Sequence, residues 1–277
     1  MRHLLKSIFL KIRSRPSLPP QFRDRTHLCL LIMFAMTMSD NLRAESLTLY
    51  YEIRPPFMFL ENGELKGSFG GQATEALQAA GISFTLSEAP VARQQLLIMN
   101  NKEPACAVGF YWTNARAKSG KYTLAIAHSS PQGIIFHSNN PKLESINTME
   151  SLFGDPTLSI VLRNGYSYGE TLDNMLLKAQ AKILRPSEDS HGRAKLVLFG
   201  IVDAALFAPD EADYQIRQFS SQENTLRFKQ FPDSPEGKPR YLYCSKLVDD
   251  KTISKINDVL KKQRPTLKKR TDQYPPR

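Results

Sequence analysis

Residues 163–172 read RNGYSYGETL. Within them, Gly165-Tyr166-Ser167-Tyr168-Gly169 fits G-x-S-x-G, the pattern that lifts a nucleophilic serine on a strand-to-helix turn of a hydrolase sheet. The same residues fit a Gly-containing turn that opens a helix and offers backbone N–H groups to an anion. The first reading makes Ser167 a nucleophile, the second a ligand clamp. A nucleophile elbow needs an acid and then a histidine later in the chain. One histidine follows, His191, only 24 residues on and beside Asp189 at the start of the next helical segment. No His-Gly-Gly oxyanion sequence precedes Ser167. The pentapeptide alone is a weak motif, and the clamp reading is preferred.

Outward from this turn, strand and helix alternate. LTLYY (47–51) is β-branched and aromatic, a strand, and Pro55-Pro56 breaks it. Asn62-Gly63 marks a turn. GGQATEALQAAG (70–81) has Ala and Leu at helical spacing, with Gly81 as its stop. Residues 82–89 form a strand, 91–101 a helix after Pro90, and 105–112 a buried strand. The second half repeats the pattern: strand 158–162, then helix 168–181 with Leu172, Met175, Leu176 and Ala179 on one face. A short strand follows (KILRP, 182–186), then helix 190–199 ending at Gly200 and strand 202–207. After a mixed stretch come strand 240–246 and a last helix over 252–263. The alternation argues for an α/β layer with a parallel core, in two units joined by extended segments, with a cleft between two lobes.

The chain has 277 residues, enough for one large or two small domains, and a formal charge of +10. That charge sits at the ends. Residues 1–44 hold eight Lys and Arg against Asp24 and Asp40, and 261–277 hold seven against Asp272, so residues 45–260 are near −2. The body is therefore no basic nucleic-acid surface, and no nucleic-acid partner is expected. LCLLIMFAMTM (28–38) is an uncharged run of 11 after basic residues. It suits the core of a secretory signal peptide over 1–44, cleaved after Leu42-Arg43-Ala44, and is too short to span a bilayer. Export leaves Cys106 and Cys244 as an even pair in an oxidising compartment, read equally as a disulfide or as two buried thiols. The five histidines do not cluster near that pair, so no metal or other cofactor is expected.

Several segments together carry a family resemblance, spread over residues 47–263. These are Ile53-Arg54-Pro55-Pro56-Phe57, the run from Gly109 to Lys118 with Thr113 three residues before Arg116, and the turn Gly165-Tyr166-Ser167-Tyr168. Gly200-Ile201-Val202-Asp203-Ala204 and Tyr241-Leu242-Tyr243-Cys244-Ser245-Lys246 complete the set. In order and spacing they resemble the periplasmic solute-binding proteins that serve ABC transporters of polar amino acids, the bacterial extracellular solute-binding protein family 3. The resemblance implies the type II periplasmic-binding-protein fold: two α/β lobes joined by two crossing strands and closing on a small ligand. It implies a first lobe from 45–129 with a return segment 232–265, a second lobe from 130–231, and a basic tail at 266–277. Arg116 is then a carboxylate clamp, since a guanidinium meets a carboxylate bidentately, and Ser167 is the anion contact from the second lobe. Gly109, Tyr111, Phe57 and Arg54 are the further implied ligand-binding residues, with Trp112 and Phe59 adding to an aromatic wall. In this fold the returning strand around 241–245 lies beside the strand of Cys106, which implies the disulfide Cys106–Cys244.

The sequence departs from the family at three places. The acid that commonly holds an amino acid's amine is replaced by Ala208, with Asp210 and Glu211 out of register. Tyr111 stands where a small hydroxyl residue is frequent, and Arg54 where an aromatic is frequent. The expected function is capture of a small, amino-acid-like carboxylate by a monomer in the periplasm, for a membrane ABC permease and without chemistry of its own. The alternatives are a dehydratase-like enzyme on the same fold, with Glu52, Asp210 and Glu211 as candidate acids, or a sensory module acting in trans.

Overall fold

The first sheet begins where the sequence patterning puts it. In the computed structural model, which describes residues 46–219 and 225–271, LTLYY forms β1 (Leu47–Tyr51). The leader expected at 1–44 and the chain end from 272 lie outside the described residues. A hairpin, β2 (Phe59–Glu61) and β3 (Glu64–Lys66), turns at Asn62-Gly63. Then come α1 (Gly70–Ala79), β4 (Phe84–Glu88), α2 (Val91–Asn100), β5 (Ala105–Phe110), α3 (Asn114–Ser119) and β6 (Lys121–His128). The second group holds β7 (Gly133–His137), α4 (Pro141–Ser145), α5 (Met149–Gly154), β8 (Ser159–Val161) and α6 (Glu170–Leu177). It continues through β9 (Lys182–Leu184), α7 (Ser190–Leu198), β10 (Ala204–Phe207), α8 (Pro209–Gln218) and β11 (Leu226–Gln230). The chain then returns as β12 (Pro239–Cys244) and α9 (Asp250–Thr271). The last helix thus runs past 263 into the segment expected to be a separate basic tail.

Two five-stranded sheets result, β4-β1-β5-β12-β6 and β11-β7-β10-β8-β9, one per lobe. Each is mixed rather than purely parallel. β4, β1 and β5 run parallel, and the returning β12 is antiparallel to both β5 and β6. β10, β8 and β9 run parallel, and β7 is antiparallel to β10 and β11. The antiparallel strands are those next to the crossings, because a chain that leaves one sheet for the other and later comes back enters against its neighbours.

Both faces of each sheet are covered, so the central strands are apolar throughout rather than alternating. In β10, Ala204 and Leu206 pack with Ile134, Phe136 and Ile160 on one face, and Ala205 and Phe207 with Val161, Ala194 and Val197 on the other. In the first lobe, Leu47, Leu49, Leu77, Ile126, Leu242 and Ile256 form the main core, and Tyr50, Ile98, Ala107 and Tyr243 the smaller one behind β5.

The two crossings, 129–132 and 231–238, touch. The Ser129 amide donates to the Lys238 carbonyl at 3.1 Å, and the Lys238 amide donates to Ser129 Oγ at 3.2 Å. Gly237 makes this approach possible: a Cβ there would sit 1.4 Å from the Ser129 carbonyl oxygen. The lobes are thus tied at one narrow pair of strands, the geometry of a hinge.

Cys106 on β5 faces Cys244 on β12 across the ladder, and the two are joined in a disulfide with Cα atoms 3.9 Å apart. That is closer than the roughly 4.4–6.8 Å usual for disulfides. Both residues are fully buried in the first-lobe core. The bond closes a separation of 138 residues that contains the entire second lobe. In the chain-entropy model a loop of this length contributes about 4–5 kcal/mol. Because β5 and β12 belong to one sheet, the bond leaves the hinge free. Reduction, or the double substitution Cys106→Ala/Cys244→Ala, is expected to lower the thermal unfolding midpoint markedly. An unchanged midpoint would reduce the pair to core packing.

Candidate functional site

The residues facing the cleft follow the carboxyl ends of the parallel strands, where ligands bind in open α/β sheets. Glu52 and Arg54 follow β1, and Tyr111 and Arg116 follow β5. Arg163, Tyr166 and Ser167 follow β8, and Glu211 lies in the first turn of α8 after β10. Each is held locally. Thr113 caps α3 by accepting the Arg116 amide at 3.2 Å, which sets the helix that carries Arg116. Arg54 sits at the start of a tight Pro-Pro turn in which its carbonyl accepts from the amides of Phe57 and Met58. In the loop 163–169, Tyr168 is the anchor: its ring is in the second-lobe core and its hydroxyl accepts from the Arg163 amide at 2.8 Å. Gly165, at φ +67°, brings this loop against the first lobe, where a Cβ would lie 2.7 Å from the Ala92 Cβ.

Two ion pairs span the lobes, the first fully buried and the second partly so. Arg54 meets Glu211 as a fork, Nε to Oε1 at 2.8 Å and Nη2 to Oε2 at 2.5 Å. Arg163 Nη2 lies 2.6 Å from Glu52 Oε2, at an angle that leaves neither atom an aligned hydrogen bond. Glu211 also accepts from Ser190 Oγ at 2.5 Å, with Arg163 and Arg193 each 3.6 Å from Oε1. Burial pushes the Glu211 carboxyl up, but the charge and hydrogen bonds of Arg54, with Arg193 and Arg163 behind, outweigh it and hold it down at about 2. It is ionised at every physiological pH.

Between these pairs lies a cavity of about 20 Å³, room for about one water. The chain's own side chains fill the rest. Arg240 of β12 is stacked 3.4 Å from the Tyr111 ring centroid and 5.0 Å from that of Tyr166, and donates to the Gly109 carbonyl at 3.1 Å. Arg54 Nη1 donates to the Tyr166 hydroxyl at 3.1 Å. Arg116 borders the cavity on the other side. It donates to Gln95 Oε1 from Nε and Nη2 at 3.2 and 2.9 Å, and to the Tyr111 carbonyl at 3.2 Å. All its partners are neutral, and burial pushes its pKa down. Outside Arg116 the cleft opens into a groove of about 540 Å³, lined by Ser167, Asp173, Leu176, Leu177, Ile183 and Arg185 among others.

The structure therefore brings together Arg54, Gly109, Tyr111, Arg116 and Ser167 of the residues singled out in the sequence. Phe57 is not on the cavity wall: it stacks on Phe69 at 4.6 Å and lies beneath Arg54. Trp112 is 52% exposed, so no aromatic wall of the expected composition forms. Ala208 packs among first-lobe core residues, and the carboxylate nearest in sequence that reaches the cleft, Glu211, is committed to Arg54. Arg163, Tyr166 and Arg240 also line the cavity, and the sequence does not single them out as ligand-binding residues. The one available signal for Arg240 is a lone charge opening an otherwise apolar and aromatic strand. Ser167 Oγ donates to Asp173 Oδ2 at 2.5 Å and accepts from the Gly169 amide at 3.2 Å. His191 is elsewhere, stacked on Phe219 and beside Gln215, so the serine is not paired with a histidine. Among the described residues, no group of three or more His, Cys, Asp or Glu is placed to hold a metal, and no helix is long and apolar enough to cross a membrane.

No family model and no curated protein matches the chain. Solved structures do. An ancestral arginine-binding protein bound to arginine is similar at a TM-score of 0.63 and 19% identity, over 80% of this chain and 93% of its own. An arginine-, lysine-, histidine-binding protein from Geobacillus stearothermophilus reaches 0.61 at 16% identity, over 80% and 91%. An ancestral amino-acid-binding protein that is a precursor of cyclohexadienyl dehydratase reaches 0.62 at 17%, over 83% and 94%. The chain thus shares the two-lobed fold of these binding proteins.

The Arg54–Glu211 pair gives a pH signature. Glu211 has an ordinary value of 4.5 and about 2 in the folded protein, so its contribution is complete above pH 4.5 and is lost as pH falls through about 2. Glu211→Gln leaves Arg54 and Arg193 without their anion and Arg163 with Glu52 alone, and is expected to cost about 3–5 kcal/mol. Circular dichroism against pH and denaturant checks both. A variant with wild-type stability and wild-type acid unfolding would show that the pair holds nothing.

Proposed function

We propose that the chain is a periplasmic solute-binding protein that captures a small carboxylate-bearing solute between its lobes and delivers it to an ABC permease. The observation that carries the reading is Arg116. It is 7% exposed, faces the cleft, and has only a side-chain amide and a carbonyl as hydrogen-bond partners. A buried guanidinium without a carboxylate is costly unless an anion completes it. Ser167 faces it from the second lobe, on the loop that opens α6. The leader at 1–44 and the buried disulfide support export.

The geometry favours a binder over an enzyme. Of the three candidate acids, Glu211 is held ionised and Glu52 is paired with Arg163, while Asp210 lines neither cavity. None is available as a general acid or base. The hinge supplies the closure that capture needs.

Arg116→Ala is expected to weaken binding of a carboxylate ligand by about 2–5 kcal/mol, measured by titration calorimetry on hits from a thermal-shift screen. An unaltered dissociation constant removes Arg116 from the site. Ser167→Ala is expected to cost about 0.5–3 kcal/mol of binding. Ser167 should not react with a fluorophosphonate probe; stoichiometric labelling would overturn the binding-protein reading.

A further inference from the structure

The cleft is built from an excess of buried cations. Arg54, Arg116 and Arg240 belong to the first lobe, all 7% exposed or less, and the one first-lobe carboxylate on the cavity wall is Glu52. In the second lobe, Arg163 and Arg193 surround Glu211. The hydrogen-bonding capacity of this set is incomplete. Arg240 Nε, Arg193 Nε and Arg163 Nη2 are buried without an aligned partner, and on the anionic side so is Glu52 Oε2. The field is strong enough to lower the Tyr166 hydroxyl: burial pushes it up, but Arg240 and Arg54 on either side outweigh that.

The free volume of about 20 Å³ means that a solute enters by parting the lobes. Parting separates Arg54 from Glu211 and Arg163 from Glu52. Glu211 keeps Arg163 and Arg193 of its own lobe. The first lobe is left with Arg54, Arg116 and Arg240 against Glu52. A ligand ammonium would have to compete with guanidiniums for Glu52, or with the Ser167 hydroxyl and the Tyr168 amide for Asp173 in the outer groove, in a site whose net charge repels it. The two guanidiniums with no carboxylate partner lie on different parts of the wall. Arg240 packs against the Tyr111 and Tyr166 rings, whereas Arg116 stands where the cavity meets the outer groove.

We infer that the solute is a small dicarboxylate without an amino group, one carboxylate on Arg116 and the other on Arg240. The inference rests on the binding-protein reading above and narrows it. The excess of guanidiniums over carboxylates on the first-lobe wall disfavours a ligand ammonium, and two guanidiniums on different parts of that wall favour two anionic groups over one compact one.

Titration of the full mature protein with four probes tests it: glutarate, L-glutamate, butyrate and inorganic phosphate. Glutarate and L-glutamate share a carbon skeleton and two carboxylates and differ in the ammonium alone. Glutarate is expected to bind at least tenfold more tightly than each of the other three. Arg240→Gln is expected to bring glutarate close to the affinity of butyrate while changing butyrate itself less than threefold. L-Glutamate binding as tightly as glutarate overturns the exclusion of the amine. Butyrate or phosphate matching glutarate overturns the two-anion site. Either result leaves capture of a small anion standing. Failure of all four to bind, with capture of a solute lacking any carboxylate, removes the wider reading as well. The comparison of ligands on the unaltered protein does not depend on the variant folding.

Discussion

The arrangement of the cleft depends on the forked contact between Arg54 and Glu211. It joins the first lobe to the second through two hydrogen bonds between opposite charges, both removed from water. Such a pair recovers its desolvation cost when the fork geometry is good and the remaining lone pairs are filled. Both conditions hold: Ser190 supplies a further donor to Glu211, and Arg163 and Arg193 stand behind it. The rest of the interlobe surface follows. Arg54 orients the Tyr166 hydroxyl, Tyr166 closes one side of Arg240, and Arg240 fixes Tyr111 and the Gly109 carbonyl. A chain of arginines and tyrosines thus fills the centre of the cleft.

The fold places these groups economically in sequence. Strands β1, β5, β8 and β10 end at the same cleft, and each is followed within a few residues by a charged or hydroxyl group that faces it. The hairpin β2–β3 and α9 lie away from the cleft, and none of their residues lines either cavity. They serve the first-lobe core instead, where Leu65, Ile256 and Leu260 are buried.

Which parts the sequence could show follows from the physics of each. Strands buried on both faces and helices with one apolar stripe carry their own patterning, so β1, β5, β8, β10, α1, α2 and α7 stand close to where composition puts them. Patterning assigns nothing to β6, β7, β11, α4 or α5. Those helices are five and six residues long, too short for a periodic face, and β7 and β11 are short strands whose pairing partners lie about 70–100 residues away in sequence. In the site, Arg116 and Ser167 stand in recognisable local settings, a threonine cap and a glycine turn. Arg163 and Arg240 do not, because a charge beside a strand has no local signature of burial. What buries Arg240 is Tyr111 and Tyr166, more than a hundred and some seventy residues away in sequence, and only the closed topology joins them. Glu211 was visible as a departure from register, but its partner was not, since Arg54 is 157 residues away.

The internal ion pairs also bear on how closure and binding are coupled. A ligand shifts a two-state equilibrium only by its difference in affinity for the two states, and apparent affinity falls in proportion to the fraction of the protein able to receive it. Contacts that the lobes make with each other lower the free energy of the closed form whether or not a solute is held. Arg54–Glu211 and Arg163–Glu52 are such contacts, so they leave less of the closure for the ligand to drive. The same contacts occupy guanidiniums that an anion could use, so the open form is the one in which Arg54 is free to attract it. A solute that takes over some of this pairing can exchange one set of charge contacts for another at little net cost, which favours anions and gives no equivalent gain to a neutral or cationic solute. On the proposed binding reading, selectivity for charge is then shared between these closing contacts and the guanidiniums of Arg116 and Arg240, which take no part in them.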